Sequence, residues 1–329
     1  MSTASAASAW RSYTSILPFL RSRRRFPCRL PRLHTEDAMK RFLIFGLSLF
    51  VTALPVRGEA PERQKAAVAY LQKLQQKDGG FAPSVDLPKS SLRATSAAVK
   101  ALNHFGGEIP DKAACADFVK SCFGKESGGF ADQPSGKPNV EVTAVGVMVV
   151  AELKLTAEPY EARVAKYLDE NVKTFEEIRI VAAAFEAMGK RPAQADAWLK
   201  QIAELRNEDG TFGKGDGAAR DTGGAVAAVI RLGGKVEHPD AVLQAMKSGQ
   251  RPDGGFGMQD SPLSDLGTSY RVMRSLHMLQ SRPEDVDRLR AFLDSCHNAD
   301  GGYGVAKGKP SSASGTYYVS SILHWIDEK

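Results

Sequence analysis

Asp216, Asp221, Asp260 and Asp265, followed by Tyr270, Tyr317 and Tyr318, bring carboxylates and phenols together in the last third of a 329-residue chain. Acids beside aromatic rings are the equipment of acid–base chemistry on a sugar, one residue protonating while another receives a proton. Asp221 and Asp265 are the candidate catalytic acids, although an Asp just ahead of a helix, as Asp221 is before Thr222, is also the usual type of cap. Lys214, Arg220, Arg271 and Lys307, with Tyr270 and Tyr317, form the candidate ligand-binding set. Lys137 and Lys309 lie in loops equivalent to those of Lys214, Arg220 and Lys307, and solvated loop charge accounts for all five equally well. No GxSxG, nucleotide-type glycine loop or HExxH occurs. The six histidines are scattered, and His277 and His324 fall inside helical patterns where packing explains them. Cys115, Cys122 and Cys296 show no metal-type spacing and are expected to be small buried residues, so no metal ligand set and no cofactor is assigned.

The elements that must hold these residues follow from an internal repeat. Lys77-Asp78-Gly79-Gly80-Phe81, Glu126 to Phe130, Glu208 to Phe212, Pro252 to Phe256 and Ala299 to Tyr303 are five versions of one turn. The second gap, between Phe130 and Phe212, is nearly twice the shortest spacing, so a sixth copy without its glycines is expected near Thr174 and Phe175. Each turn follows a stretch with apolar residues at helical spacing, such as Ala66 to Gln76 or Leu289 to Cys296. Each precedes a run of small residues opened by a threonine: Thr95, Thr143, Thr222, Thr268 and Thr316. Val140 to Val150, valine-rich and strand-like by propensity, is assigned to a helix because Thr143 holds the repeat register. Six helical hairpins cannot each bury an apolar face alone and must stack. Alanine-rich second helices favour closure, which gives an all-α fold: an (α/α)₆ toroid of six helical hairpin repeats over residues 59–329. The N-termini of the inner helices, with unpaired N–H groups, would converge on one rim and suit an anion.

Charge separates the ends. The net charge is +6, yet ten basic residues and only Glu36 and Asp37 precede Glu59, leaving 34 basic against 36 acidic residues beyond it. A nucleic-acid partner is therefore excluded for the folded part. Met39-Lys40-Arg41, the apolar run Phe42 to Leu54 and the small residues near Gly58 form the pattern of a secretory signal over 39–58. Residues 1–38 are an extension ahead of it. The expected product is an exported chain, periplasmic or secreted, that begins between Glu59 and Pro61 and retains no membrane span.

The repeats resemble the β subunits of protein prenyltransferases, Rab geranylgeranyltransferase type, and more loosely the squalene and terpene cyclases. The resemblance rests on Lys125 to Asp132, Asp209 to Thr222 and Phe292 to Tyr303. It implies a toroid handling an isoprenoid or lipid in its central cavity, with an apolar ligand or a protein as partner. Family chemistry uses a zinc ion on Asp, Cys and His to make a thiolate. The matching positions here are Asp265, Gly267 and Gly315, so two ligands lack side chains and zinc-dependent prenyl transfer is not expected. Restoring them by Gly267→Cys with Gly315→His is expected to create zinc affinity. The family's diphosphate-binding Arg and Lys fall at Gln259 and Pro262. Of the cyclase DxDD motif, only Asp221 remains. Two other classes stay open: a non-catalytic interaction toroid, and an exported lyase or hydrolase acting on polysaccharide.

Overall fold

The computed structural model describes residues 59–156 and 160–328. The expected signal segment starting at Met39, and the extension before it, lie outside the described residues.

Twelve α-helices occur among the described residues, and they pair as outer and inner members of six hairpins. The pairs are α1 (Glu59–Lys73) with α2 (Leu92–Phe105), α3 (Lys112–Ser121) with α4 (Val140–Glu152), and α5 (Glu161–Asn171) with α6 (Phe175–Ala187). They continue as α7 (Ala195–Glu204) with α8 (Ala218–Arg231), α9 (Pro239–Ser248) with α10 (Leu266–Met278), and α11 (Val286–Ser295) with α12 (Ala313–Asp327). A two-residue ladder, β1 (Tyr303–Gly304) with β2 (Ser311–Ser312), tightens the last connection.

Each even-numbered helix packs on the next, and α12 packs back on α2, so the inner helices close a ring. Small residues permit the approach: a Cβ at Gly223 of α8 would lie 3.1 Å from the Val272 Cα of α10. The inner helices share a direction. Their starts meet neighbouring loops, with Leu92 N donating to Asp132 O, Leu266 N to Val305 O and Ala313 N to Pro83 O. Their ends meet one another through Asn103 with Glu152 and Arg231 with Glu186.

The repeated turn owes its shape to its Asp and two glycines. Asp253 Oδ1 accepts from Gly255 N at 3.0 Å and from Ser264 Oγ at 2.7 Å. Gly254 adopts φ +90°, which an L side chain rarely takes, and its missing Cβ lets the turn seat on the Arg288 backbone of α11. The following aromatic is thrown into the core, where Phe81, Phe130, Phe256 and Tyr303 are buried. Its backbone N–H is then satisfied by a hydroxyl one turn inside the inner helix: Thr95, Thr143, Thr222 and Thr316 accept from Phe81, Phe130, Phe212 and Tyr303. In the fifth repeat the acceptor is Ser269, bound by Phe256 N at 3.0 Å, and not the expected Thr268. Serine supplies the same Oγ, and Thr268 N instead serves the helix cap.

Val140 to Glu152 is helical despite its valines. Asn139 caps it by accepting from Val142 N at 2.9 Å, and Val142, Val147, Val149 and Val150 are buried between neighbouring elements. Packing has overridden propensity. The expected copy without glycines is the third hairpin, α5 with α6, but Thr174 and Phe175 are not a turn. Thr174 forms a capping box with Glu177 at the start of α6, and the connection from α5 is three residues long.

Candidate functional site

At the rim where the inner helices begin, local bonds already use most of the groups expected to do chemistry. Asp265 Oδ1 caps α10 by accepting from Thr268 N at 2.7 Å. Ser91, Asn139, Thr174 and Ser312 cap α2, α4, α6 and α12 in the same way, so at five of the six inner-helix starts one N–H is already bound, while α8 begins at Gly217 without a side-chain cap. Asp221 pairs with Arg220 at 3.0 Å. Lys214, Lys307, Asp216 and Asp260 are exposed on the connecting loops.

Gly315 also explains itself. A Cβ there would lie 2.3 Å from the Tyr303 carbonyl oxygen, with the Gly304 backbone at 2.8 Å. A histidine at this place requires the β1 backbone to shift, which opposes the expected rebuilding of a zinc site by Gly267→Cys and Gly315→His. Among the described residues no group of three His, Cys, Asp or Glu side chains is arranged to hold a metal ion. Burial pushes the Cys115 and Cys122 thiols up to about 12 and Cys296 to about 11, which leaves them unreactive.

Tyr270, Arg271 and Tyr317 do come together, inside the ring. Tyr270 and Tyr317 share a hydrogen bond between their hydroxyls, and the Tyr270 and Tyr318 rings lie 5.0 Å apart. Arg271 donates to both carboxylate oxygens of Glu176 across the axis, at 2.8 and 3.0 Å, and Arg179 donates to the same carboxylate at 3.1 Å. Burial alone would raise the Glu176 carboxyl, but the bound Arg271 and the nearby Arg179 outweigh it and hold it at about 2. Arg274 stacks 4.2 Å from the Tyr270 centroid. An aromatic face that already carries a guanidinium cannot also stabilise a carbocation, since the like charge opposes it. The lumen is thus bridged by ion pairs and rings.

Sequence reasoning missed Glu176, Arg179 and Arg274. The available signal was charge at three-residue spacing, Glu176 to Arg179 and Arg271 to Arg274, inside helices that otherwise bury small residues. His277 and His324 pack as expected, on Trp325 and His104, but at the edge of the core and not inside it. They are 38% and 45% exposed, and both reach Glu328, at 3.4 and 2.8 Å.

Apolar space lies outside the ring. Between α4, α5 and the end of α6 is a pocket of about 380 Å³ walled by Phe130, Val147, Val150, Ala151, Val164 and Met188. Lys154, Leu155 and Tyr160 also border a neighbouring groove of about 620 Å³, whose far side carries Lys120, Lys125 and Arg163. The Lys120 ammonium pairs with Asp117 at 3.1 Å. Lys154 itself holds the left-handed conformation, φ +55°, at the end of α4. An apolar wedge therefore opens onto a basic groove.

The family description "prenyltransferase alpha-alpha toroid domain" matches residues 36–178 and 178–329. Drimenyl diphosphate synthase from Streptomyces showdoensis is 28% identical over 145 residues, which are 40% of this chain and 27% of that enzyme. The chain therefore spans about a quarter of the length of that relative. The type II terpene cyclase MstE from Scytonema aligns with TM-score 0.54 at 12% identity, covering 80% of this chain and 96% of its own. A variant of MstE in complex with its substrate, geranylgeranyl dihydroxybenzoate, aligns equally well, with TM-score 0.54 at 10% identity over 80% and 95% of the two chains. At these identities the likeness is one of fold. No helix among the described residues is long and apolar enough to cross a membrane.

Proposed function

This chain belongs to the prenyltransferase alpha-alpha toroid domain family, and from that premise we propose that it is an exported, zinc-independent toroid that binds an anionic isoprenoid or similar lipid. The carrying observation is the apolar pocket of about 380 Å³ that shares Lys154, Leu155 and Tyr160 with the basic groove. A prenyl or acyl chain would bury its methylenes against Val147, Val150 and Met188, each worth roughly 0.8 kcal/mol when removed from water. A phosphate or diphosphate head would meet Lys125, Lys154 and Arg163. The ion-paired lumen supports this outer location, because an uncharged chain among guanidiniums and carboxylates would strip them of water without returning hydrogen bonds. The substrate bound by the cyclase variant, geranylgeranyl dihydroxybenzoate, fits the same ligand class.

Titration of the full chain with geranylgeranyl diphosphate, geranylgeraniol and inorganic diphosphate tests the reading. The diphosphate ester should bind best, the alcohol more weakly and inorganic diphosphate least. Ala151→Trp, which fills the exposed mouth of the pocket, should weaken the first two by at least about tenfold, a loss near 1.4 kcal/mol. Equal binding by parent and variant would overturn the assignment. The export half of the proposal is separate: intact-mass measurement on protein recovered outside the cytosol should give a chain starting between Glu59 and Pro61. Retention of residues 1–38 would sink it.

One observation favours a protein partner as a second reading. Val85, Leu87, Met258 and Leu263 are more than half exposed on the loops that lead into α2 and α10. Apolar side chains repeated along one rim are the usual mark of a contact surface.

A further inference from the structure

The lumen is not filled along its whole length. Toward the ends of the inner helices lies an open chamber of about 300 Å³, room for roughly ten water molecules. The chamber is reached from the side where Glu186 and His324 are exposed. It is separate from the wedge between α4, α5 and α6, and its cations are unevenly matched.

Three cations and two carboxylates line it. Lys100 lies 3.9 Å from Glu152, which also accepts from Asn103 at 3.0 Å. Arg231 uses its Nε to reach Glu186 at 2.8 Å, while its side chain is only 9% exposed. Arg231 Nη1 is buried without a hydrogen-bond partner. Among the described residues no carboxylate lies within ion-pair distance of Arg274. Its polar contact is Tyr317 Oη at 3.4 Å, and its plane lies over Tyr270 and within 5.8 Å of the Trp325 centroid. Burial, then the nearby Arg231, brings the Arg274 guanidinium down to about 9. A buried guanidinium nitrogen with no acceptor is costly, and two guanidiniums facing one cavity with a single carboxylate between them repel.

We propose that this chamber is a binding site for a small organic anion, a carboxylate or phosphate ester with a cyclic body. The anionic oxygens would accept from Arg274, whose fork suits two oxygens at once, and from Arg231 once a turn of its side chain brings the buried Nη1 to the chamber wall. The ring would lie along Trp325 and Tyr317. The ligand supplies the missing negative charge, and the rings set its size and flatness. This site shares no lining residue with the lipid wedge, so either can fail without the other.

The test is calorimetric titration of the full chain with benzoate, phenyl phosphate, benzyl alcohol and inorganic phosphate, followed also by Trp325 fluorescence. Saturable binding of benzoate or phenyl phosphate, with benzyl alcohol at least about tenfold weaker, supports the site, and whichever anion binds tighter identifies the head group. Arg274→Met should abolish that preference and raise the thermal midpoint of the free protein, because an uncompensated buried charge is gone. Should that variant fail to fold, Arg231→Lys tests the same point: it can keep a cation for Glu186, removes Nη1 and should weaken anion binding about tenfold. Inorganic phosphate binding as tightly as phenyl phosphate would overturn the cyclic body. Absence of anion binding, or unchanged affinity in a folded variant, would overturn the site.

Discussion

An acid ahead of a helix can be a catalyst or a cap, and Asp265 spends its carboxylate on Thr268 N. Residue type and position were legible there, but which use prevails depends on whether the N–H or a substrate lies within reach. His104 shows the opposite case, a residue whose chemistry only packing reveals. It stacks on His324 with centroids 4.9 Å apart and lies 3.3 Å from both Ser320 and Ser321 hydroxyls. Burial first, then His324, lowers its pKa from 6.5 to about 4. The unfolded chain therefore binds more protons than the folded one between these values, so stability is full above pH 6.5 and declines as pH falls toward 4. Glu176, held at about 2, adds its own loss only at lower pH, as the medium passes from its ordinary 4.5 toward 2. His104→Gln should accordingly flatten thermal midpoint against pH between 6.5 and 4, leaving the more acidic limb in place. Parallel curves for parent and variant would refute this.

At the scale of the element, the turns were the readable part because their chemistry is local. An Asp accepting from the second glycine, a first glycine at positive φ and an inward aromatic all lie within five residues. The second glycine is needed for a different reason, which no sequence window contains: a Cβ at Gly255 would sit 2.8 Å from the Phe292 ring of α11 and 2.6 Å from Ser264 Cβ. Gly255→Val should thus destabilise by more than about 1 kcal/mol, read as a lower thermal midpoint. An unchanged midpoint would count against close seating of the fifth turn on the sixth repeat. Ser269 was missed for a simple reason: Thr268 stands next to it, and one position of helical phase decides which hydroxyl faces Phe256. The copy without glycines was placed correctly by counting, yet Thr174 proved to be a cap. A chain without the glycine turn crosses from α5 to α6 directly, and its aromatic, Phe175, packs only partly buried from the first turn of α6.

For the whole molecule, closure could be argued from alanine-rich inner helices, whereas the contents of the ring could not. Which of two adjacent inner-helix positions points at the axis depends on the curvature of six stacked hairpins. Arg271 and Arg274 could therefore be noticed as charges but not assigned to Glu176 or to Tyr270. Lipid handling was expected inside the ring, and the charged lining led us to propose it in the wedge instead. Closure itself governs the order in which the chain can acquire its structure. Hydrogen bonds at the seam join His104 to Ser320 and Ser321, 216 and 217 residues apart, and the last turn seats on Tyr70 and Ala66 of the first helix. Neighbouring repeats meet across short spans and can assemble while the chain is still being made, but the seam carries a long-loop entropy cost and waits for α12. A ribosome-bound or partly threaded chain is consequently an open arc with both end faces bare, kept from locking until the fifteen-residue α12 arrives.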